Sequence, residues 1–370
     1  MSSGFEILSP QALQDKRSYK WRQHSGSMIP LTVAEMDYNV APAIREALSE
    51  AVNSSDMGYL GKFPEVQEAF AGFAQRHWNW SFAPSLVRIA NDVGAAVSET
   101  LLVLSQPQER ILINSPITNF EMWLQEINRT PYDVPLINEG MNYRLDLSGI
   151  ERAFQDGIRF YLLCNPHSPV GAQFPAEDLK QVALLAEKYG AIVLSDEIHG
   201  ALSYGGFTPF LTTGAAARKV GITFTSASKA FNISGLKCAL YLTESPELNA
   251  QLDRIPESAR HRASLFGAIA TAAAFESSDA WLHDAVVEMK SSAALLKDLL
   301  SERFPEAKYR TPDFGYLAWI DFTQPWALRF ESAGVALLPG NEYGTGLEYF
   351  ARLNFATSHE LLKRAFVSLK

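Results

Sequence analysis

The feature that most limits how this chain can fold is a regular alternation of short apolar runs with stretches of helical periodicity. Strands that are apolar on both faces must be covered on both sides, which is typical of a mostly parallel sheet between two layers of helices. The predicted fold class is therefore α/β. The predicted strands are residues 111–114, 132–136, 158–164, 192–194, 222–225 and 239–242, with helices at 98–104 and 177–189 between them.

The pattern changes after about residue 245. A long helical stretch at 281–300 is followed by two strand-like pieces at 316–322 and 349–355, which is typical of a smaller α+β unit. At 370 residues the chain is too long for one small core, so we expect two packed domains. The expected large domain is residues 41–244, and the expected small domain combines residues 1–40 with 245–370.

Charge and cysteine content limit which partners we expect the protein to bind and in which compartment we expect it to lie. The chain has 41 acidic and 32 basic residues and a net charge of −9, a balance that repels the phosphate backbone of nucleic acids. Cys164 and Cys238 are too few for a disulfide framework, which suits a reducing compartment. Residues 1–10 lack the pattern of a signal peptide, and no apolar run approaches the roughly 20 residues that span a bilayer. We therefore expect a soluble cytoplasmic protein without a nucleic-acid or membrane partner.

The strongest chemical signal lies in residues 225–232, Thr-Ser-Ala-Ser-Lys-Ala-Phe-Asn, directly after a predicted strand. Lysine is normally exposed, so Lys229 among small residues at the end of a strand is unusual. An isolated Ser-x-Ser-Lys is most often a surface loop that matches by chance. The neighbouring motifs along the chain therefore decide how it is interpreted.

Two further segments stand where this type of sheet binds its ligands. Asp196 follows the strand 192–194, and ligands bind at the carboxyl ends of such strands. Its structural alternative is a helix N-cap. A buried carboxylate would keep a pyridine nitrogen protonated, which pyridoxal 5′-phosphate (PLP) needs in order to withdraw electrons. Residues 92–96 enter a helix whose free backbone N–H groups could bind a phosphate.

Several motifs run in one order almost from end to end of the chain. They are Ser-Tyr-Lys-Trp at 18–21, Val-Ala-Glu-Met-Asp-Tyr at 33–38, Gly-Tyr at 58–59, Asn-Pro-His at 165–167, Asp-Glu-Ile-His at 196–199, Ser-Ala-Ser-Lys-Ala-Phe-Asn at 226–232 and Arg-Leu-Asn-Phe-Ala at 352–356. With these motifs the chain resembles the fold-type I PLP-dependent enzymes, and within them the cystathionine β-lyase/C–S lyase group related to the maltose-regulon modulator. The resemblance implies the PLP-dependent transferase fold of type I, with PLP as cofactor and an amino acid as substrate.

The resemblance also implies roles for individual residues. Lys229 is expected to bind PLP as an imine and to move the Cα proton of the substrate, while Asp196 pairs with the pyridine nitrogen. Arg352 is expected to bind the substrate α-carboxylate, for which a planar guanidinium is well suited. A homodimer with shared active sites is implied, because one phosphate contact is expected from the partner subunit. The implied phosphate contacts are Ser226, Ser228, Lys237, the backbone of Gly94 and Ala95, and, across the dimer, Tyr59.

Three positions depart from the family pattern. Ser168 replaces the asparagine that donates to the phenolic oxygen of the cofactor, and Thr118 stands where an aromatic residue stacks on the cofactor ring. Thr32 replaces a tryptophan. His199 is placed near the cofactor, although a packed or hydrogen-bonded histidine is an equally good interpretation of it and of His167. The seven histidines show no metal-ligand spacing, so no metal is expected.

The function that the resemblance favours is β-elimination from L-cystathionine or a related cysteine S-conjugate, giving a thiol such as homocysteine, pyruvate and ammonia. Two alternatives stay open at this point. An aminotransferase uses the same residues and returns the proton to the cofactor, so the motifs alone do not separate the two. The second is a regulatory binding protein, since a member of this group modulates a transcription activator by contact. The retained Lys229 and Arg352 argue against a purely non-catalytic role.

Overall fold

The structure is a computed structural model that describes residues 3–24, 28–117 and 119–367. Its helices are α1 (Pro10–Gln14), α2 (Tyr19–Arg22), α3 (Pro42–Asn53), α4 (Pro64–Trp78), α5 (Val93–Leu104), α6 (Phe120–Glu126), α7 (Leu147–Gln155), α8 (Ala176–Tyr189), α9 (Ala215–Val220), α10 (Ala227–Ala230), α11 (Pro246–Leu252), α12 (Glu257–Arg260), α13 (Leu265–Ser277), α14 (Asp279–Arg303), α15 (Trp326–Ser332) and α16 (His359–Val367). Its strands are β1 (Ile29–Pro30), β2 (Arg88–Ala90), β3 (Arg110–Ile113), β4 (Thr130–Asp133), β5 (Ile137–Glu139), β6 (Asn142–Arg144), β7 (Phe160–Cys164), β8 (Ile192–Asp196), β9 (Gly221–Thr225), β10 (Ala239–Leu242), β11 (Lys308–Tyr309), β12 (Leu317–Asp321), β13 (Val335–Ala336), β14 (Leu338–Pro339) and β15 (Phe350–Asn354).

A seven-stranded sheet forms the centre of the larger part of the chain. Its strand order is β2-β10-β9-β8-β7-β3-β4, in which the strands from β9 to β4 run parallel and β10 is antiparallel to both of its neighbours. The middle strands β7, β8 and β9 are buried almost throughout, as expected where helices cover both faces. The predicted mostly parallel sheet of an α/β protein is confirmed.

Alternate side chains of the central strands enter two separate apolar clusters. In β3, Ile111 and Ile113 belong to one cluster and Leu112 to the other. Helix α5 contributes Val97 to the first cluster, and α8 contributes Leu179 to the second. This alternation follows from the two-residue period of a strand, and it requires strands that are apolar at every position. The unbroken apolar runs of the sequence therefore predict strands that have an apolar core on both faces of the sheet.

A second, antiparallel sheet of order β11-β12-β15-β14 lies in the C-terminal part of the chain. Strands β12 and β15 pair over their whole length, which places Arg352 opposite Trp319. The N-terminal segment joins this part, because β1 pairs in parallel with β13 and Leu31 N donates to Ala336 O at 2.9 Å. The predicted division of the chain at residues 40 and 245 stays a prediction.

Four helices, α11 to α14, lie between the last strand of the seven-stranded sheet and the first strand of the second sheet. Helix α13 packs against α3 and α4, and α14 packs against α16. The predicted helix 281–300 lies within α14, which is longer at both ends. Within the ranges that the structure describes, no helix is both long and apolar enough to cross a membrane.

Candidate active site

A cavity of about 800 Å³ opens at the carboxyl ends of the central strands, between the seven-stranded sheet and the C-terminal sheet. A cavity of this size is typical of sites that bury a small molecule. Its position is the one expected for a doubly covered parallel sheet. The predicted site residues that line it are Gly94, Ser168, Asp196, His199, Ser226, Ser228, Lys229, Lys237 and Arg352.

Lys229 stands on the short helix α10, which follows β9. Ser226 caps this helix, since its Oγ accepts a hydrogen bond from Ser228 N at 3.1 Å. The half-buried Lys229 donates from Nζ to Ala34 O at 3.4 Å. Burial, together with the nearby Arg352, lowers the pKa of Lys229 to about 8. An amine with a lowered pKa is a better nucleophile near neutral pH, as covalent attachment to a carbonyl group requires.

Asp196 is the last residue of β8 and is buried in the wall of the cavity. Its Oδ1 accepts a hydrogen bond from Ile198 N at 3.1 Å, so the carboxyl group closes a tight turn after the strand and does not cap a helix. Burial raises the pKa of Asp196 to about 7, while the Ile198 N–H and Lys229 act in the opposite direction. A cationic ring nitrogen against this carboxylate would favour its ionised form, because opposite charges stabilise each other.

The start of α5 meets the cavity at Gly94. Asp92 is the N-cap of this helix, and its Oδ1 accepts from Ala95 N at 2.8 Å. The Ala95 N–H is therefore engaged in the cap, and Ala95 does not line this cavity, which differs from the expectation that both backbone groups contact a phosphate. The N–H of Gly94 stands in the first turn and has no acceptor within the helix. A Cβ at position 94 would lie 2.7 Å from the ring of Trp123, so this close approach requires glycine.

Lys237 places a positive charge at the same end of the cavity. Its Nζ lies 3.2 Å from Asp92 Oδ2, and about half of each side chain is exposed. Ser226 Oγ donates to Cys238 O at 2.6 Å, which ties the start of α10 to the strand that follows it. Ser228 lines the cavity between these groups. A lysine beside a helix N-terminus is a suitable surrounding for a phosphate group.

The predicted stacking position, Thr118, lies outside the described residues. Two aromatic side chains that the sequence patterns do not identify, Phe120 and Trp123, line the cavity a few residues further along, with ring centroids 5.3 Å apart. The signal that could have identified them is a pair of aromatic residues one turn apart on a helix that follows a strand end. Their rings give this wall of the cavity a flat apolar surface.

Arg352 on β15 is buried in the wall that the C-terminal sheet contributes. Its Nη2 donates to Thr32 O at 2.7 Å, and its guanidinium lies 5.6 Å from the ring centroid of Tyr343. Both Arg352 Nε and the hydroxyl of Thr32 are buried without a hydrogen-bond partner. A buried N–H group without an acceptor is costly, and a carboxylate is the ligand that the planar guanidinium fits best.

The backbone of residues 32–37 runs between Lys229 and Arg352, which each bond one of its carbonyl groups. Two asparagine side chains hold this 32–37 segment in place. The amide of Asn354 donates to two of its carbonyl oxygens at 2.6 Å each. The amide of Asn232 bonds the N–H and the C=O of one residue in the segment at 2.8 Å each. Both asparagines lie within recognised motifs, but no local pattern predicts this role for them.

The two histidines of the motifs have different surroundings. His199 lines the cavity, and its Nδ1 is buried without a hydrogen-bond partner. Burial, together with Lys229 and Arg352, lowers the pKa of His199 to about 3, so its ring is neutral. His167 does not line the cavity, and its Nε2 lies 3.1 Å from Asn114 O. His167 is thus a packed histidine with one hydrogen-bonded ring nitrogen, and its Nδ1, like that of His199, is buried without a partner.

Tyr59 lies apart from the cavity in this chain. It belongs to the connection between α3 and α4, and 93% of its surface is exposed. A large aromatic side chain with this exposure can contact another subunit, although single exposed apolar residues are common. The expected contribution of Tyr59 to the site of a partner subunit stays a prediction.

The residues that line the cavity fit PLP. Lys229 offers an amine for covalent attachment, Asp196 a carboxyl group for the ring nitrogen, and Lys237 a cation for the phosphate. The unpartnered N–H of Arg352 and the unpartnered ring nitrogen of His199 are further polar groups that need a ligand. Charge, hydrogen-bonding capacity and volume are therefore all suited to this cofactor with an amino acid beside it.

Comparison with known proteins also relates this chain to PLP-dependent enzymes. Residues 26–369 match the family described as Aminotransferase class I and II. A Mycobacterium leprae protein, provisionally named a cystathionine beta-lyase, is 34% identical over 98% of this chain and 96% of its own length. The cystathionine beta-lyase PatB of Bacillus subtilis is 28% identical over 92% of each chain. A crystal structure from Corynebacterium diphtheriae, provisionally named a PLP-dependent beta-cystathionase, is 30% identical over 99% of this chain and 98% of that one, with a TM-score of 0.93. This chain belongs to the aminotransferase class I and II family.

Proposed function

We propose that this protein is a PLP-dependent carbon–sulfur lyase that catalyses β-elimination from L-cystathionine or a related cysteine S-conjugate. The observation that carries this proposal is one cavity shared by Lys229, Asp196 and Arg352. The chain matches relatives named cystathionine beta-lyase over more than nine tenths of their length, which favours this substrate class. The cavity offers a nucleophilic amine, a carboxyl group for a ring nitrogen and a cation for a substrate carboxylate.

The residues of the cavity divide the work between binding and proton transfer. Bound PLP supplies an electron-withdrawing ring that stabilises negative charge at the substrate Cα. Lys229 would hold the cofactor through Nζ and would remove the Cα proton of the substrate. Asp196 would keep the ring nitrogen protonated by pairing with it. Lys237, Ser228 and the N–H of Gly94 would hold the phosphate end.

Arg352 orients the substrate relative to Lys229. Its Nη2 is fixed on Thr32 O, while its Nε has no partner and is available to the substrate α-carboxylate. A carboxylate bound there is held close to the amine of Lys229, because both side chains contact the 32–37 segment. This arrangement keeps the Cα–H bond within reach of the base and leaves the rest of the cavity for the sulfur-bearing side chain.

Besides the substrate, the reaction consumes only water. The Cα–H and Cβ–S bonds of the substrate break, and a Cα–Cβ double bond forms. The sulfur leaves as a thiolate and takes up a proton, which gives homocysteine when the substrate is cystathionine. Water converts the three-carbon remainder to pyruvate and ammonia.

An aminotransferase is the second candidate function. The family match supports an aminotransferase. The residues that act up to the removal of the Cα proton would be the same in an aminotransferase as in a lyase. The difference comes afterwards, because Lys229 would return the proton to the cofactor side and an amino acceptor would be needed. No residue of the cavity by itself separates these outcomes.

We also infer a homodimer in a reducing, cytoplasmic compartment. The exposed Tyr59 supports the dimer, since it is available to a partner subunit. The two cysteines, Cys164 and Cys238, are buried and unpaired, which suits a compartment that keeps thiols reduced. Sedimentation of the PLP-loaded protein tests the dimer, and a monomer with full activity would contradict it.

The test of the function is product analysis with L-cystathionine and no added keto acid. We expect homocysteine, pyruvate and ammonia in equal amounts. Lys229→Ala should show no turnover, whereas Lys180→Ala, which changes a half-exposed lysine on α8, should behave like the wild type. Turnover that depends on a keto acid and releases no thiol would reject the lyase and leave the cofactor assignment in place.

A further inference from the structure

Glu197 is a buried acidic residue that the proposed reaction does not use. It follows Asp196 directly at the end of β8, and only 1% of its surface is exposed. Ser195 Oγ donates to its Oε1 at 2.9 Å, and Phe210 N donates to the same oxygen at 2.7 Å. The second oxygen, Oε2, is buried without a hydrogen-bond partner. One carboxyl oxygen therefore has two donors and the other has none.

An ionised carboxylate would be poorly stabilised in these surroundings. Burying a charge without a partner of opposite sign is strongly unfavourable. The charged group that acts on Glu197 is Asp196, which has the same sign. The other groups near Glu197 are the Asn165 amide, the Phe210 N–H and the Thr225 hydroxyl, which donates to the backbone carbonyl of Glu197. Within the described part of the chain, no cation acts on its carboxyl group. Burial raises the pKa of Glu197 to about 8.

The side-chain amide of Asn165 lies close to Glu197 and acts to lower its pKa, against the larger effect of burial. Its backbone N–H donates to Asp196 O at 2.9 Å, which ties the loop after β7 to the end of β8. Asn165 Oδ1, however, is a buried acceptor without a partner. A proton on the unpartnered Oε2 of Glu197 would remove a buried charge that lacks a counter-ion.

We propose that Glu197 is a neutral carboxylic acid that carries its proton on Oε2, and that it is a positioning residue for Asp196. The inference rests on the proposed function in so far as Asp196 faces the ring nitrogen of the cofactor. A second carboxylate next to Asp196 would oppose the ionisation of Asp196. With Glu197 neutral, Asp196 is the negative charge at this strand end, and the hydrogen bonds of Glu197 fix the turn that carries it.

Infrared difference spectroscopy of the PLP-loaded protein tests the protonation state directly. Glu197→Gln replaces the acid by a neutral amide of the same shape. At about pH 6, below the pKa of about 8, the wild-type-minus-E197Q spectrum should contain the carbonyl band of a protonated acid, and this band should decline as the pH rises through about 8. The matched control is Glu177→Gln, an exposed glutamate, for which only carboxylate bands should change. Loss of carboxylate bands in E197Q would overturn the proposal.

A second measurement covers the case in which E197Q does not fold. Wild-type protein labelled with ¹³C only in its glutamates should show an acid carbonyl band that shifts with the label. Glu197 is the buried glutamate among the described residues, so a shifted band reports on it, whereas the band of a protonated aspartate would not move. An acid band without any isotope shift would contradict the proposal.

The absorbance of the bound cofactor reports whether a negative charge stands at position 197 beside Asp196. Exchange of a neutral acid for a neutral amide should leave the pH midpoint of the holoenzyme absorbance unchanged in E197Q. Removal of a negative charge beside Asp196 would move that midpoint and would count against the proposal. None of these measurements needs turnover. A failed cystathionine assay would therefore reject the proposed function but would leave the protonation state of Glu197 to be decided by the spectra.

Discussion

Lys20 and Asp37 form an ion pair at 2.9 Å in which neither side chain has any exposed surface. Lys20 Nζ also donates to Glu35 O at 3.2 Å, and Trp21 Nε1 donates to the second carboxylate oxygen of Asp37 at 2.9 Å. The pair therefore anchors the 32–37 segment through two side chains that do not line the cavity. Both residues belong to motifs of the N-terminal part of the chain, which explains why that part has a distinct sequence pattern.

Lys20→Met should destabilise the protein strongly. The substitution leaves Asp37 as a buried charge without its partner, which costs about 3–5 kcal/mol. The free energy of unfolding in urea measures this loss. Arg144→Met, which breaks the exposed pair with Glu139, is the control and should change the free energy of unfolding far less. Equal effects of the two substitutions would show that the buried pair does not anchor the segment.

The attachment of PLP to the cofactor-free protein should become faster with rising pH. Only the neutral amine of Lys229 attacks a carbonyl, and its pKa is lowered to about 8, so the rate should rise through about pH 8 and level off above it. Stopped-flow absorbance after mixing with PLP measures the rate. Borohydride reduction followed by peptide mapping should place the cofactor on Lys229, and a reduced cofactor on another lysine would refute the assignment.

The central strands can be predicted from the sequence because an apolar run is a local property. The predicted strand 239–242 is β10 without change, and 192–194 is the first part of β8. Strand β8 continues through Ser195 and Asp196, which are polar but buried, so the apolar run ends before the strand does. Helix α5 starts at Val93, in agreement with the prediction that residues 92–96 enter a helix, and the predicted periodic stretch 98–104 is its second part.

The site can be predicted only in part, because contacts between distant segments leave no local pattern. Motif resemblance indicates Lys229, Asp196 and Arg352, and the structure places all three in one cavity. The proximity of the Trp123 ring to Gly94 and the engagement of the Ala95 N–H by a cap depend on side-chain geometry that spacing does not encode. The same holds for the hydrogen bonds of the 32–37 segment.

Arg352→Lys should raise KM for amino-acid substrates with a smaller effect on kcat. A lysine keeps the charge but has no Nε–H and no planar pair of donors for a carboxylate. Loss of one charge-assisted hydrogen bond costs about 1.5–3 kcal/mol, which corresponds to a roughly 10- to 150-fold increase in KM. Arg303→Lys, at the end of α14, is the control for the same exchange away from the cavity. Unchanged steady-state kinetics in R352K would rule out the carboxylate-binding role.

Ser168→Asn should lower the pKa of the linkage between Lys229 and the cofactor. Ser168 lines the cavity, and an asparagine amide there would offer the phenolic oxygen two N–H donors where the serine hydroxyl offers one O–H. Such a donor withdraws the electron density that favours the protonated linkage. Absorbance of the holoenzyme titrated against pH measures the midpoint, with Ser234→Asn as the control because Ser234 lines the same cavity from another element. A midpoint that stays or rises in S168N would reject this role.

The hydrogen bond from Arg352 to Thr32 joins residues that are 320 positions apart. A ribosome that adds roughly 5–20 residues per second needs roughly 15–65 s to make the chain between them. During this interval the 32–37 segment has neither Arg352 nor Asn354 to bond, and β1 has no partner strand until β13 has been made. The sheet that carries Asp196 and Lys229 is synthesised well before that. The proposed binding of an amino-acid carboxylate by Arg352 therefore depends on a part of the chain that is made after the strands that carry Asp196 and precede Lys229.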